Sequence, residues 1–477
     1  MRKNNTESGI YELFITDRDG PYHYASGRGK KMAIFNGERL AAEIFKIEAD
    51  KIRRGWYSDK YFSNNVILLE ALAKEGYTFA GNSDIKDVDC SAVQVGNVEV
   101  EMQFFTRRKP CSLVAGVDEA LAILKMCTGY FDDNEKFVNT YDQLEVEAVQ
   151  DGTFVYYEGD PLSVQPVLKI RGRYRDFAKL ETVLLGVIAE PTRIATNVYN
   201  TLVASRSKDI LFFPARFAHY KMQALHGYAY SLAIQAYNQK YSKRNCRFVS
   251  TDEQGTWWGG EGGGTIAHAT ICCFMGDTVE TMMQYSRIFP KEVSRLVLVD
   301  FHNDCVGETK AVMAKMFAKY LACYKAGDWE EAEKYKLYGI RPDTSKTMRD
   351  KSIIPTGNKQ QDMGVSPRLV WNLREAIDRV CYDWDLNEEE LKIAKEWCEQ
   401  VKICVTGGFN AKKIKEFEEM DVPVDIYGVG SSLLENSDET NNDFTADIVR
   451  IKVNQQWYNL SKIGRSVGEN PNLEKIQ

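Results

Sequence analysis

Between residues 401 and 433 the chain alternates short apolar runs with glycine-rich polar ends. Residues 401–405 form a β-branched-rich run that closes on Thr406, Gly407 and Gly408. Asn410 stands where it caps a helix reaching Met420, with Ile414, Phe417 and Met420 at helical spacing. Residues 422–427 read as a second strand, closed by Gly428, Val429 and Gly430. The segment is thus strand, glycine loop, helix, strand, glycine loop, as in one βα unit of a parallel sheet.

The same grammar runs back to about residue 190. Strand candidates lie at 210–213 before PARFAH, 247–250 before TDEQG and 265–267 before His268. Others lie at 296–299 before DFHND and 338–340 before RPDTS. With the two strands already named, seven strand ends are expected, close to the eight of a (β/α)₈ barrel. Upstream the pattern differs. Ser58 or Asp59 can cap a helix whose apolar stripe is Val66, Leu69, Leu72 and Ala73, with Gly76 as its stop; Tyr61 at its start reads from composition as core packing. A strand is expected over 96–106 and helices over 117–126 and 175–188. Antiparallel strands are expected within 144–170, turned at Asp151-Gly152 and at Gly159-Asp160-Pro161. That is α+β grammar, and the first 50 residues suggest no job.

Length and charge narrow the class. At 477 residues two domains are expected, and 44% hydrophobic with 27% charged residues is ordinary for a soluble protein. A net charge of −7 favours neither nucleic acid nor an anionic membrane as partner. No apolar run reaches membrane-spanning length and the opening residues hold no signal-peptide core. Eleven cysteines without a CxxC pair suggest reduced thiols in a cytoplasm and argue against a zinc knuckle.

The chemistry gathers at the strand ends. Paired loops at Gly407, Gly408 and at Gly428, Gly430 let the backbone aim N–H groups at an anion, and Ser431 and Ser432 add hydroxyl donors. After the last two strands of a barrel, such loops form a phosphate site. Five glycines between residues 259 and 264 precede Thr265 and His268 and would let backbone lie close to a ligand; the histidine can serve as base, acid or nucleophile. Arg216 and His219 occupy another tip, where the arginine suits a carboxylate or phosphate. Asp300 and Asp343 can hold Mg²⁺ on a polyphosphate, or ribose hydroxyls.

Taken in order, these segments resemble the nicotinate phosphoribosyltransferase family, closest to its shorter, archaeal-like branch. SDKYF is similar to the family's TD-x-YF, PARFAH to GARR-x-H, GTIAHA to GT-x-x-HA, VDFHND to VDTF-x-DE and IRPDT to VRxDT. VTGGFN and YGVGSSL resemble its SGG and GVGT phosphate loops, and DIVRIKVNQQWYNLSKIGRS its closing hairpin. The resemblance runs from about Trp56 to Gly468. It implies transfer of a phosphoribosyl group from phosphoribosyl pyrophosphate to nicotinate, driven by ATP and assisted by Mg²⁺. It also implies an irregular TIM-like α/β barrel with an N-terminal α+β domain, working as a cytoplasmic homodimer. The expected boundaries are an α+β domain over 1–185, joined by 440–477, and a barrel over 186–439.

Carried over by position, the resemblance makes His268 the phosphorylated histidine and Tyr61 the aromatic that stacks on the base. Thr265 and Arg341 become nicotinate contacts, with Arg216 at the carboxylate and phosphate end. An arginine facing the base carboxylate separates nicotinate from nicotinamide, because a buried charge left unpaired costs about 3–5 kcal/mol. Some residues depart from the pattern. Phe217 stands in place of a second arginine, STDEQGTWWGG replaces the usual segment before GT-x-x-H, and Ser431 replaces a threonine. The cysteine cluster of some relatives is missing, so no zinc is expected. The competing expectations are nicotinamide phosphoribosyl transfer, another phosphate-binding barrel enzyme, and a catalytically dead sensor.

Overall fold

The computed structural model describes residues 38–477; the rest of the expected N-terminal domain, residues 1–37 with the opening stretch, lies outside the described residues. Two compact units emerge. One is built from residues 38–199, Tyr228–Ala236 and Glu435–Gln477, the other from Asn200–Gly227 and Tyr237–Leu434. Among the described residues, no helix is long and apolar enough to cross a membrane.

The first unit is α+β. Its six-stranded antiparallel sheet runs, edge to edge, Gln456–Asn459, Phe444–Val453, Glu99–Thr106, Leu168–Arg173, Glu145–Ala148, Glu474–Lys475. Asn454 and Gln455 both adopt positive φ, 49° and 63°, the pairing that closes a tight hairpin of the expected kind. The strand expected over 96–106 is present as Glu99–Thr106, and its polar residues Glu101 and Gln103 are fully buried. The reason is local. Glu101 lies opposite Arg171 on one neighbour and Arg450 on the other, and bonds both, at 2.7 and 3.1 Å. Gln103 accepts from the Gly468 N–H and donates to the Ser466 carbonyl, both at 2.8 Å.

Other expectations shift. Asp151-Gly152 does turn the chain, with Gly152 at φ 93°, but its flanking strands pair elsewhere: Phe154–Tyr156 with Cys111–Leu113, and Glu145–Ala148 with Leu168–Arg173. Asp151 is held instead by the Val117 N–H at 2.8 Å and the Tyr228 hydroxyl at 3.0 Å. The helix expected over 175–188 begins later and runs far longer, as Glu181–Ala204 with Pro191 inside. Tyr61, read from composition as core, is 57% exposed at the start of helix Lys60–Lys74, and its neighbour Phe62 takes the buried position.

The second unit is an irregular parallel α/β barrel. Its strands β1 (Asp209–Phe212), β2 (Leu296–Leu298), β3 (Gly339–Arg341), β4 (Lys402–Val405) and β5 (Ile426–Val429) pair in the order β2-β3-β4-β5-β1. Two single parallel bridges extend β1 through Val249 to Gly262. The seven strand positions therefore follow chain order around the ring, and none of the described pairings joins Gly262 to β2. Two expectations are corrected. The strand expected at 265–267 is replaced by the bridge at Gly262, and the last strand begins at Ile426 rather than 422, which puts Gly428 inside β5. Asn410 caps helix Ala411–Glu419 through its side chain, as its spacing suggests.

Burial leaves one testable mark on the α+β unit. Glu119, in the first turn of helix Val117–Cys127, is raised to about 7 by burial and by the nearby Asp151 carboxylate. With its folded value above the unfolded one, its contribution to stability is complete below the ordinary glutamate range, about 4.3, and is lost as pH rises through 7. Glu119→Gln is therefore expected to melt close to the parent at pH 5 and above it at pH 8. Parallel melting profiles across that range would contradict this.

Candidate active site

All five barrel strands point the same way, so their carboxyl ends share one face. At the β4 tip, Thr406 donates its N–H to the Pro342 carbonyl at 3.2 Å and its hydroxyl to Asp343 Oδ1 at 2.8 Å. Gly407 and Gly408 follow with φ of 89° and 74°, two successive left-handed residues that aim backbone outward where a side chain would be strained. The second loop uses glycine differently. Gly428 has an ordinary φ, but a Cβ there would fall 2.5 Å from the Thr406 methyl and 2.8 Å from the Phe213 ring. Gly430 lies against the Phe217 ring, and Ser432 donates its hydroxyl to the Phe409 carbonyl at 2.9 Å, tying the second loop to the first. Ser431 opens the exposed turn Ser431–Leu434.

His268 begins the short helix His268–Cys273, with its ring 42% exposed and Nε2 3.0 Å from Asp300 Oδ1 at the β2 tip. Asp300 is raised above the ordinary aspartate value by burial; the His268 pairing opposes this and the neighbouring Asp343 carboxylate adds to it. Two residues at the start of that segment meet as well. The Ile266 carbonyl accepts from Thr265 Oγ1 at 3.3 Å and from Arg341 Nη2 at 3.4 Å. Arg341 Nε is buried without a partner, an unmet donor at the β3 tip.

None of the described hydrogen bonds or ion pairs joins the remaining candidates to His268, Asp300 or Arg341. The Arg216 guanidinium lies 5.4 Å from the centroid of its neighbour Phe217, and both side chains are exposed. His219 Nδ1 accepts the Lys221 N–H at 3.3 Å, a turn-capping role. Tyr61 belongs to the α+β unit. Two glycines of the tract serve the chain's own packing: Gly260 lies on the Trp258 ring and Gly262 against the Thr251 and Asp252 backbone, while Gly264 borders open space. That also accounts for Trp258, whose Nε1–H bonds the Gln254 carbonyl at 2.8 Å. Two residues escaped the sequence reading as site elements, Thr406 and Phe213. A threonine ending a strand just before Gly-Gly was the available signal for the first; nothing in the pattern marked the second.

Among the described residues, no group of three or more His, Cys, Asp or Glu side chains could hold a metal ion unaided. Asp300 and Asp343 still fit a phosphate-bound Mg²⁺, which takes one or two carboxylates and keeps its other positions for phosphate oxygens and water.

The raised Asp300 carries a sign that can be checked. Its folded value lies above its unfolded one, so its contribution is complete below the unfolded value and lost as pH rises through the folded value; ionised at pH 7, it costs stability. Asp300→Asn is expected to melt at or above the parent temperature at pH 7. A fall of several degrees would make the pair a structural tie instead.

Residues 87–192 match the family described as quinolinate phosphoribosyl transferase, N-terminal domain. No curated protein matches the chain by sequence. Among solved structures, a nicotinate-nucleotide pyrophosphorylase from Pyrococcus furiosus aligns with TM-score 0.57 at 23% identity, over 89% of this chain and 81% of that one. Human nicotinic acid phosphoribosyltransferase aligns at TM-score 0.47 and 13% identity, over 83% of this chain and 76% of that one. Residues 87–192 are thus similar to a quinolinate phosphoribosyl transferase N-terminal domain, and the chain shares the fold of the Pyrococcus furiosus enzyme.

Proposed function

We propose that the chain is a nicotinate phosphoribosyltransferase, making nicotinate mononucleotide and pyrophosphate from nicotinate and phosphoribosyl pyrophosphate with hydrolysis of ATP. The observation that carries this reading is one barrel face holding both paired glycine loops, tied through Thr406, and a histidine bonded to a buried carboxylate.

In this reading the residues divide the work as follows. The Gly407-Gly408 loop and the Gly430–Ser432 turn take the 5-phosphate, and Asp343 holds ribose hydroxyls beside them. Breaking the anomeric bond leaves positive charge on the ribose, which Asp300 and Asp343 stabilise, and negative charge on pyrophosphate. Asp300 and Asp343 would hold a Mg²⁺, which would supply charge to neutralise the pyrophosphate leaving group. Thr265 and Arg341 meet the base, with Arg341 Nε free to donate to its carboxylate, and Arg216 serves the anionic end. Asp300 keeps the proton on Nε2 of His268, which leaves the Nδ1 lone pair to accept a phosphoryl group from ATP.

A second reading, with quinolinate as the base, draws support from the name of the matched domain family. Nicotinamide is the third base to try, since it shares the ring and lacks the charge. The test mixes the full chain with phosphoribosyl pyrophosphate, Mg²⁺ and each base in turn, with and without ATP, alongside His268→Ala. The proposal expects product from nicotinate, stimulated by ATP, with a loss in kcat/KM on the order of a hundredfold in the variant. Product from quinolinate or nicotinamide alone would replace the base, and no product from any of them would end the transferase reading.

A further inference from the structure

The core of the α+β unit is left open beside helix Lys60–Lys74. Of the stripe expected on that helix, Val66 is 2% exposed, but Leu69 is only half-buried, and its neighbour Leu68 is 58% exposed. Between this helix and the sheet lies a cavity of about 480 Å³, within the range of roughly 300–1,000 Å³ usual for small-molecule sites. Val98 and Val100 line it from the start of strand Glu99–Thr106, and Ile448 and Ile451 from strand Phe444–Val453. Val100 pairs with Ile451, and a bulge then sets Ile448 opposite Met102. The bulge brings two isoleucines three residues apart to one cavity, where a regular strand would turn one of them away. Val100 belongs to the main core of this unit, and Val98 and Ile448 pack against it, so the cavity is that core's open end.

The polar groups are few. The Ser461 hydroxyl already donates to the Arg465 carbonyl at 3.1 Å. Lys462 lies exposed at the edge of the cavity, and none of the described ion pairs uses it. Apolar walls with a single unpaired cation at the rim call for a ligand with an apolar body and one anionic end. We propose that this cavity binds an unbranched aliphatic carboxylate, with its chain against Leu69, Ile448 and Ile451 and its carboxylate on the Lys462 ammonium. The recess takes a narrow chain rather than a flat protein face, and the one rim cation sets the sign of the head group. Binding covers apolar surface that now faces water, so it raises the thermal stability of the chain.

The site lies wholly within the α+β unit, and its test reads no transferase step. Octanoate, decanoate and dodecanoate are titrated calorimetrically into the full chain at pH 8, below their micelle concentrations, with 1-octanol as the uncharged control. The proposal expects one molecule per chain, with affinity rising about fourfold for each added methylene and a higher melting temperature at saturation. Lys462→Gln, on an exposed turn, should weaken binding on the order of tenfold, and 1-octanol should bind the parent more weakly than octanoate by a similar factor. Ile451→Trp, which fills the recess, should abolish binding. No binding of dodecanoate by the parent, equal binding by Lys462→Gln, or 1-octanol held as tightly as octanoate overturns the proposal. Sedimentation is run alongside, and free and occupied chain are expected at the same mass. Uptake that occurs only as paired copies separate would assign the recess to a second copy of the chain and also overturn it.

Discussion

The hydrogen bond from Thr406 to Asp343 is the tie on which the barrel face depends. It joins the tip of β3 to the tip of β4 and sets the start of the left-handed Gly407-Gly408 turn. The same threonine presents its methyl group to Gly428 in β5, where no larger residue fits. One side chain therefore fixes three neighbouring tips. Thr406 is almost fully buried and its hydroxyl is satisfied, so the tie is made in a setting where an unmade bond is costly.

Around that tie the charges are distributed unevenly. Asp300 is desolvated and its side chain is paired with the half-buried His268, while Asp343 is held by a neutral donor. A buried carboxylate that is unfavourable for folding yet retained beside a histidine fits chemistry better than structure, where an amide would serve as well. Nearby, Arg341 keeps a buried N–H without an acceptor. A ligand carrying an acceptor would complete the bonding of this donor.

Much of this was legible in the sequence because it rests on local rules. The glycine turn at residues 407–408, the Asn410 cap and the strand-then-polar-tip rhythm all follow from nearest neighbours along the chain. The sequence marked His268 and Asp300 separately as candidates, and the structure pairs them. What escaped depended on distant partners. The buried bonds of Glu101 and Gln103 go to Arg450 and Gly468, which come more than 300 residues later. Gly428 read as a loop closing because its steric partners, Phe213 and Thr406, belong to other strands. The tract at residues 259–264 read as a ligand cradle, although two of its glycines, Gly260 and Gly262, let the chain fold upon itself.

The central claim, that the tied loops form the phosphoribosyl pocket, is tested most directly by calorimetric titration of phosphoribosyl pyrophosphate with Mg²⁺ into the parent and Thr406→Val. Valine keeps the methyl packing against Gly428 and removes only the hydroxyl. Affinity is expected to fall on the order of tenfold, with a stability cost of about 1–3 kcal/mol for the hydrogen bond lost from Asp343. Unchanged affinity in a variant that has lost this bond would contradict the account.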